Sequence, residues 1–421
     1  MTRVLLVTGL PGAGRTTVAA ATAVAAARAG RRTLLLATDG TRDVDTVLGV
    51  SSGGPGSGPD GAAASGGSGS SSGDSASSAG GGAVEVAPGL DVRRVAGRAE
   101  FEREFLSVQG RLGAALSVVG VEPLDPEEIT VVPGAGDVLA LRVLARAVRE
   151  GAYDLIVVDL PAVERAVPTL ALPEGLMRYL DRLLPVERQA ARALRPVLAA
   201  VVGVPMPEDW VYDTARRVND ELDALRAIVD APTTTVRLVL RPGVVALAGA
   251  RRAASALALY GHRVEDVILN GVSPADSADP AVVARSEVAR ETVDALCALF
   301  PRVPLAQIPL LAAEPLGTAE LGDVAGHFGP VGAAGIVADG SAVERDGERL
   351  ILSLALPGTD RDDLDLLRRG DELVVTVGPY RRLLRLPSAL RRCTIEGAGL
   401  RDGMLRVRFV PDPAVWMRSS P

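Results

Sequence analysis

The 421-residue chain predicts an α/β protein with a mainly parallel sheet, followed by a smaller all-β sandwich. Three observations carry this. As far as about residue 335, short apolar runs alternate with longer stretches of helical period, the pattern of a parallel sheet covered on both faces. Beyond that point the helical period fades and period-2 runs take over. A glycine-rich turn, "GLPGAGRTT", joins the first apolar run to the first helical stretch, where a helix N-terminus can face an anion.

The expected strands, in order, are "RVLLVT", "TLLLAT", "YDLIVVD", "TVRLVL", "VEDVILN" and "VPLAQIP". Helical stretches are expected at 16–29, 137–149, 208–229 and 249–260. Between "TLLLATDG" and the strands that must complete its sheet, 23 of the 33 residues of 51–83 are glycine or serine. Such a segment has no side chains with which to build a core, so a disordered insertion within one domain is expected. The division is then 1–50 with 84–330, the insertion 51–83, and a sandwich over 335–412. The sandwich is read from "RLILSLALPG", "DELVVTVG", "YRRLLRLP" and "MLRVRFV", with turns at Arg369-Gly370-Asp371 and Asp402-Gly403 between them.

Composition narrows the function. A net charge of −7 argues against nucleic acid as a partner, which usually requires a basic face. Cys297 and Cys393 have no cysteine or histidine at ligand spacing, so neither a metal cluster nor a disulfide framework is expected, and a cytoplasmic location is. No run approaches the ~18 apolar residues of a membrane span. The chain has no lysine; all 45 of its basic residues are arginine.

Gly9 to Thr17 follows the phosphate-loop spacing G-x-x-x-x-G-[K]-[ST] except that Arg15 replaces the lysine. Gly9, Gly12 and Gly14 permit successive N–H groups to converge on a phosphate, backed by the following helix. The expected nucleotide contacts are thus Gly9, Gly12, Ala13, Gly14, Arg15, Thr16 and Thr17, with the Thr16 hydroxyl placed for Mg²⁺ and ATP as the ligand. Arginine is not a neutral replacement, because a planar five-donor guanidinium and a compact ammonium differ in a tight pocket.

Downstream blocks point to a family. "LIVVDLPAVERAVPTLALPEGLMRYLDRLLP", "TVRLVLRPGVVALAGARRAASALALYGHRVEDVILNGVSP" and "PLLAAEPLG" come in the order found in the arsenite-pump ATPase (ArsA) family, which includes the ATPases that target tail-anchored membrane proteins. The resemblance covers roughly 1–327 and implies a deviant P-loop NTPase that dimerises across bound nucleotide. By resemblance, Asp39 in "LLLATDGT" orients the attacking water, Asp159 lies near the Mg²⁺ ion, and Asn270 in "ILNGVSP" reads adenine. Each could instead be a turn or strand-end residue.

The departures fall where phosphates are touched. The family's cross-dimer lysine is Leu10 here, and its Pro-Ala-His after the first-switch aspartate is Gly40-Thr41-Arg42. Its second-switch Thr-Ala-Pro-Thr-Gly-His is Leu160-Pro161-Ala162-Val163-Glu164-Arg165, and Glu164 is expected to bring a carboxylate near the γ-phosphate. The 354–409 stretch resembles the α-crystallin domain of small heat-shock proteins, in the "LPG" after its first strand, "DELVV" and "GAGLRDGMLRV". The expected function is an ATP-binding scaffold of weak or degenerate hydrolysis carrying a chaperone-like module. It would act as a homodimer, or as a heterodimer with a related ATPase, with a protein client or membrane partner. Two alternatives stay open: an active ATPase that energises ion export or client delivery, and an interaction protein that binds no nucleotide.

Overall fold

Strand β1 (Arg3–Gly9) lies inside an eight-stranded sheet of order β3-β4-β2-β5-β1-β6-β7-β8. Its companions are β2 (Thr33–Ala37), β3 (Val84–Ala87), β4 (Leu90–Arg94), β5 (Leu155–Asp159), β6 (Thr234–Leu240), β7 (Val264–Val272) and β8 (Leu305–Pro309). All neighbours run parallel except the short edge strand β3, which pairs antiparallel with β4. The computed structural model describes residues 2–38, 43–50, 82–95, 134–183, 209–332 and 341–412, with 101–102, 106, 125 and 128. Asp39, nearly all of the glycine/serine insertion, and the expected boundary near 335 lie outside the described residues.

The expected strands form because continuous β-branched and leucine runs suit a sheet buried on both faces. Every residue of β2, β5 and β6 is buried. One face is covered by α1 (Arg15–Arg28), α2 (Asp43–Leu48) and α8 (Gly317–Ala325). On the other lie α3 (Ala135–Glu150), α4 (Val163–Leu183), α5 (Asp209–Val229) and α6 (Val244–Tyr260). Helix α7 (Pro280–Leu299) precedes β8 and carries an Asp279 cap on the N–H of Ala281. Helix α6 starts earlier than its helical period suggests. Gly243, at φ 138°, takes up the turn after Pro242 and lets the helix begin at Val244.

The C-terminal part has a four-stranded sheet, β14-β15-β10-β9, and a three-stranded one, β11-β12-β13. The strands are β9 (Ala342–Asp346), β10 (Arg349–Ala355), β11 (Leu364–Arg369), β12 (Glu372–Val377), β13 (Tyr380–Arg385), β14 (Cys393–Arg401) and β15 (Met404–Pro411). All pairs are antiparallel, and a short helix α9 (Ser388–Arg391) precedes β14. Alternation puts Leu373, Val375, Leu405, Val407 and Phe409 inside.

This sandwich docks on α6. Ala250, Ala253, Ala254 and Leu257 are buried there, and one contiguous apolar cluster runs from the parallel sheet through α6 into the sandwich. Polar groups seal the seam: Thr359 donates to Ser255 Oγ at 2.9 Å, and the Tyr260 hydroxyl donates to Arg381 O at 2.9 Å. Arg382 donates to Leu259 O at 2.8 Å and pairs with Glu174 of α4 at 3.3 Å.

His262 follows α6 at this seam, its ring stacked 6.4 Å from Tyr260 and its Nε2 without a hydrogen-bond partner. Burial, opposed by Asp230 and reinforced by Arg382 and Arg263, pushes its pKa down to about 4 from the usual 6.5. The unfolded chain therefore binds a proton that the folded chain refuses as pH falls from about 6.5 towards 4. Stability is complete above that window and is lost within it, by about 2 kcal/mol at pH 5. Denaturant melts at pH 7 and pH 5 should show His262→Gln losing correspondingly less than wild type.

A phosphate-loop cleft at the carboxyl ends of the strands

The candidate residues lie at the C-terminal ends of parallel strands, where open α/β sheets bind ligands. Gly9 ends β1 where it passes β6 so closely that an added Cβ would lie 1.9 Å from Val239 O. Leu10 N–H then donates to Val239 O, and Ala13 N–H turns back to Leu10 O, both at 3.2 Å. Gly12 and Gly14 take φ of +70° and +88°, which L side chains rarely adopt. Gly14 is the N-cap of α1, without a side-chain cap and with no acidic residue in the first turn. The helix thus presents uncapped N–H groups and an unneutralised positive end towards the loop.

Asn270, near the end of β7, reaches this loop: its Nδ2 donates to Ala13 O at 2.9 Å. An alanine Cβ at position 14 would sit 2.3 Å from that Nδ2, so Gly14 and Asn270 require each other's geometry. Gly12, Gly14, Thr17, Asp43, Arg241 and Asn270 line one cleft of about 570 Å³, closed on its far side by the segment after β8. Thr16 starts the helix beside them, and its hydroxyl has no hydrogen-bond partner among the described residues.

Asp159 is 3% exposed and closes β5 next to β1, with Val7 opposite it. Its backbone carbonyl accepts from Thr38 Oγ1 at 2.7 Å, which ties the end of β2, just before Asp39, to the second switch. The Thr16 hydroxyl would hold Mg²⁺, with Asp159 near it, and the ion when bound would neutralise phosphate charge. Uncapped helical N–H groups and the two left-handed glycines leave room for the phosphates.

Three substituted positions bear on the charge around the expected phosphate. Arg15 Nη1 donates to Leu160 O at 2.8 Å, so the guanidinium is held on second-switch backbone. Leu10 folds into its own chain: a Cβ on Gly249 of α6 would lie 2.7 Å from both of its methyl groups. Glu164 is exposed in the first turn of α4 and does not line the cleft. Val163 takes the buried face of that turn at 1% exposed, which rotates Glu164 away from the loop. Its carboxylate, after burial itself, helps to push the Tyr380 hydroxyl pKa up, which places it on the sandwich side.

Arg241 was missed by sequence reading. It follows β6 by one residue, packs over Gly271, and has no partner among the described residues. The only signal was its place after an apolar strand in "RLVLRPG".

A mainly parallel sheet with a glycine loop between β1 and the N-terminus of α1 defines a phosphate-loop protein. The chain belongs to the anion-transporting ATPase (ArsA) family, whose model matches residues 2–328, and residues 347–409 match the HSP20-like domain found in ArsA. The chain is 41% identical to an uncharacterized protein of Streptomyces coelicolor, over 99% of each chain. It is 31% identical to a Mycobacterium tuberculosis protein, covering 98% of this chain and 97% of that one. It is also 22% identical to a putative arsenical pump-driving ATPase of Aquifex aeolicus, covering 94% and 97%. Members of the ArsA family bind nucleotide, typically with Mg²⁺, and often work as dimers. Among the described residues, no helix is long and apolar enough to cross a membrane, and no group of three or more His, Cys, Asp or Glu could hold a metal ion.

Proposed function

We propose that the chain is a cytoplasmic, nucleotide-gated scaffold that binds Mg-ATP between β1 and α1 and hydrolyses it weakly or not at all. The observation that carries this reading is the split between an intact cradle and diverted charges. Gly12 and Gly14 keep the left-handed turns of the loop and Asn270 bonds to Ala13 O, while Arg15 is held by Leu160 O and Leu10 is packed against α6. Phosphoryl transfer depends on charge positioned around the γ-phosphate, and those are the two places where the family supplies it. Arg241 is a cation available to the cleft from the same chain.

The proposed assembly is a dimer, with a second copy or with a related ATPase, across the face that bears the cleft. Leu310, 50% exposed, lines it, and Val244 and Val245, 82% and 84% exposed, begin α6 a few residues after the lining residue Arg241. Two adjacent valines this exposed at a helix start suit a subunit contact. The α-crystallin-like sandwich is the chaperone-like module. The relatives named as arsenical pump drivers favour the alternative of an ATPase that energises ion export.

The test is ATP binding measured with phosphate release. Wild type is expected to bind Mg-ATP and to release little phosphate, and Arg15→Lys is expected to raise release less than tenfold, since Leu10 still supplies no charge. Leu10→Lys combined with Arg15→Lys should raise it further. Brisk release by wild type, abolished by Asp39→Asn, would establish the active ATPase instead.

A further inference from the structure

A second and larger cleft, of about 770 Å³, lies between α4 and the outer face of the β11-β12-β13 sheet. Its floor follows from strand register. Leu367 pairs with Val374, and Val374 with Leu383, so one apolar row crosses all three strands. Two polar rows flank it: Asp365, Thr376 and Arg381 on one side, and Arg369, Glu372 and Arg385 on the other. Leu367 is 48% exposed, and Tyr179 of α4, on the facing wall, is 63% exposed. The row spans two inter-strand spacings, roughly 10 Å, enough for two apolar side chains.

The charge of this cleft differs in sign from that of the chain. Its lining holds Arg178, Arg182, Arg369, Arg381 and Arg382 against Glu174, Asp365 and Glu372, five positive and three negative groups, on a protein of net charge −7. Arg382 is occupied by Glu174. Arg178, Arg182 and Arg369 have no carboxylate partner among the described residues. Arg178 and Arg182 are also spaced i, i+4 on α4, where like charges repel and a bound carboxylate relieves them.

We propose that this cleft binds an extended peptide segment of a partner protein in which acidic residues alternate with apolar ones. Apolar side chains cover the Leu367–Val374–Leu383 row, and carboxylates meet Arg178, Arg182 and Arg369. Alternation is the feature an extended chain supplies, since successive side chains point to opposite sides. A nucleic acid fits less well, because its continuous phosphates would meet Asp365 and Glu372 and leave the apolar row uncovered. The proposal goes beyond the nucleotide reading and does not rest on it.

Fluorescence anisotropy with the full chain and no nucleotide tests it. The probe is a fluorescein-labelled octapeptide alternating Glu and Leu, compared with Glu/Ser and Arg/Leu octapeptides and with inorganic polyphosphate as competitor. The Glu/Leu peptide is expected to bind at least tenfold more tightly than either other peptide. Arg178→Glu with Arg182→Glu on α4, and separately Leu367→Asp on β11, should each weaken it at least tenfold, while Arg285→Glu on α7 leaves it unchanged. All three sites are at the surface, and thermal melts verify folding. No binding of the Glu/Leu peptide overturns the proposal. So does binding that survives both the α4 and the β11 variants. Equal binding of the Glu/Ser peptide, or full displacement by polyphosphate at matched charge, assigns the cleft to polyanions and also overturns it.

Discussion

Arg237→Ala is expected to destabilise the protein by about 3–5 kcal/mol, the cost of leaving one partner of a buried ion pair alone. Arg237 lies in β6 and is 0% exposed. Its Nε and Nη2 donate to the two oxygens of Asp266 at 2.8 and 2.6 Å, and Nη1 donates to Thr22 of α1 at 2.7 Å. Its guanidinium also stacks 4.6 Å from the Phe328 ring. Beside it, a register shift between β6 and β7 makes Glu265 an extra residue opposite β6, next to Asp266. Glu265 accepts from Thr235 Oγ1 and Arg3 Nη2, at 2.5 and 2.8 Å, and from the backbone of Gly332. Burial opposes its ionisation, but these hydrogen bonds outweigh burial and hold its pKa below the usual carboxylate range. Removing Arg237 leaves Asp266 facing burial that already raises its pKa, and removes the hydrogen bond from β6 to Thr22 of α1. Arg237→Leu with Asp266→Leu should recover most of the loss, because an apolar pair carries no desolvation penalty. Denaturant titration of the single and double variants checks both expectations; a single variant within 1 kcal/mol of wild type would contradict the first.

Gly14→Ala is expected to weaken Mg-ATP binding by about thirtyfold to a hundredfold. An L residue relaxes away from φ +88° in the free loop, and restoring that geometry on binding costs about 1–2 kcal/mol. Its Cβ also displaces Asn270 from Ala13 O, a hydrogen bond of about 1 kcal/mol. Together these reach 2–3 kcal/mol, at 1.4 kcal/mol per tenfold in affinity. Gly12→Ala is the control: its Cβ meets nothing within 4 Å, so it carries the strain alone and should lose less. Calorimetric titration with Mg-ATP separates the two, and equal losses would show that Asn270 does not support the loop.

Much of this was legible in the sequence. The six strongest strands, the phosphate loop and the order of family blocks rest on local signals: continuous apolar runs, glycine spacing and a helix that starts after Gly14. Helix α4 was less legible, because Pro168 and Pro173 interrupt its period, yet packing between the sheet and the sandwich holds it helical. The edge strand β3 is four residues long and half exposed, too short for its pattern to announce.

What the sequence by itself determined is the class of protein and the place of its loop, since strand burial and glycine freedom depend on residue type and spacing alone. Only the tertiary structure decided where the substituted side chains went. With arginine as the sole strong base, "TVRLVL" and "LRPG" carry arginines that look alike in sequence, yet Arg237 is buried against Asp266 and Arg241 faces the cleft. Leu10 and Glu164 occupy expected phosphate positions in the sequence, but the space beside Gly249 draws one inwards and the burial of Val163 turns the other away. These outcomes depend on which elements meet in the fold, and a burial or a charge partner supplied from another strand or helix leaves no local trace.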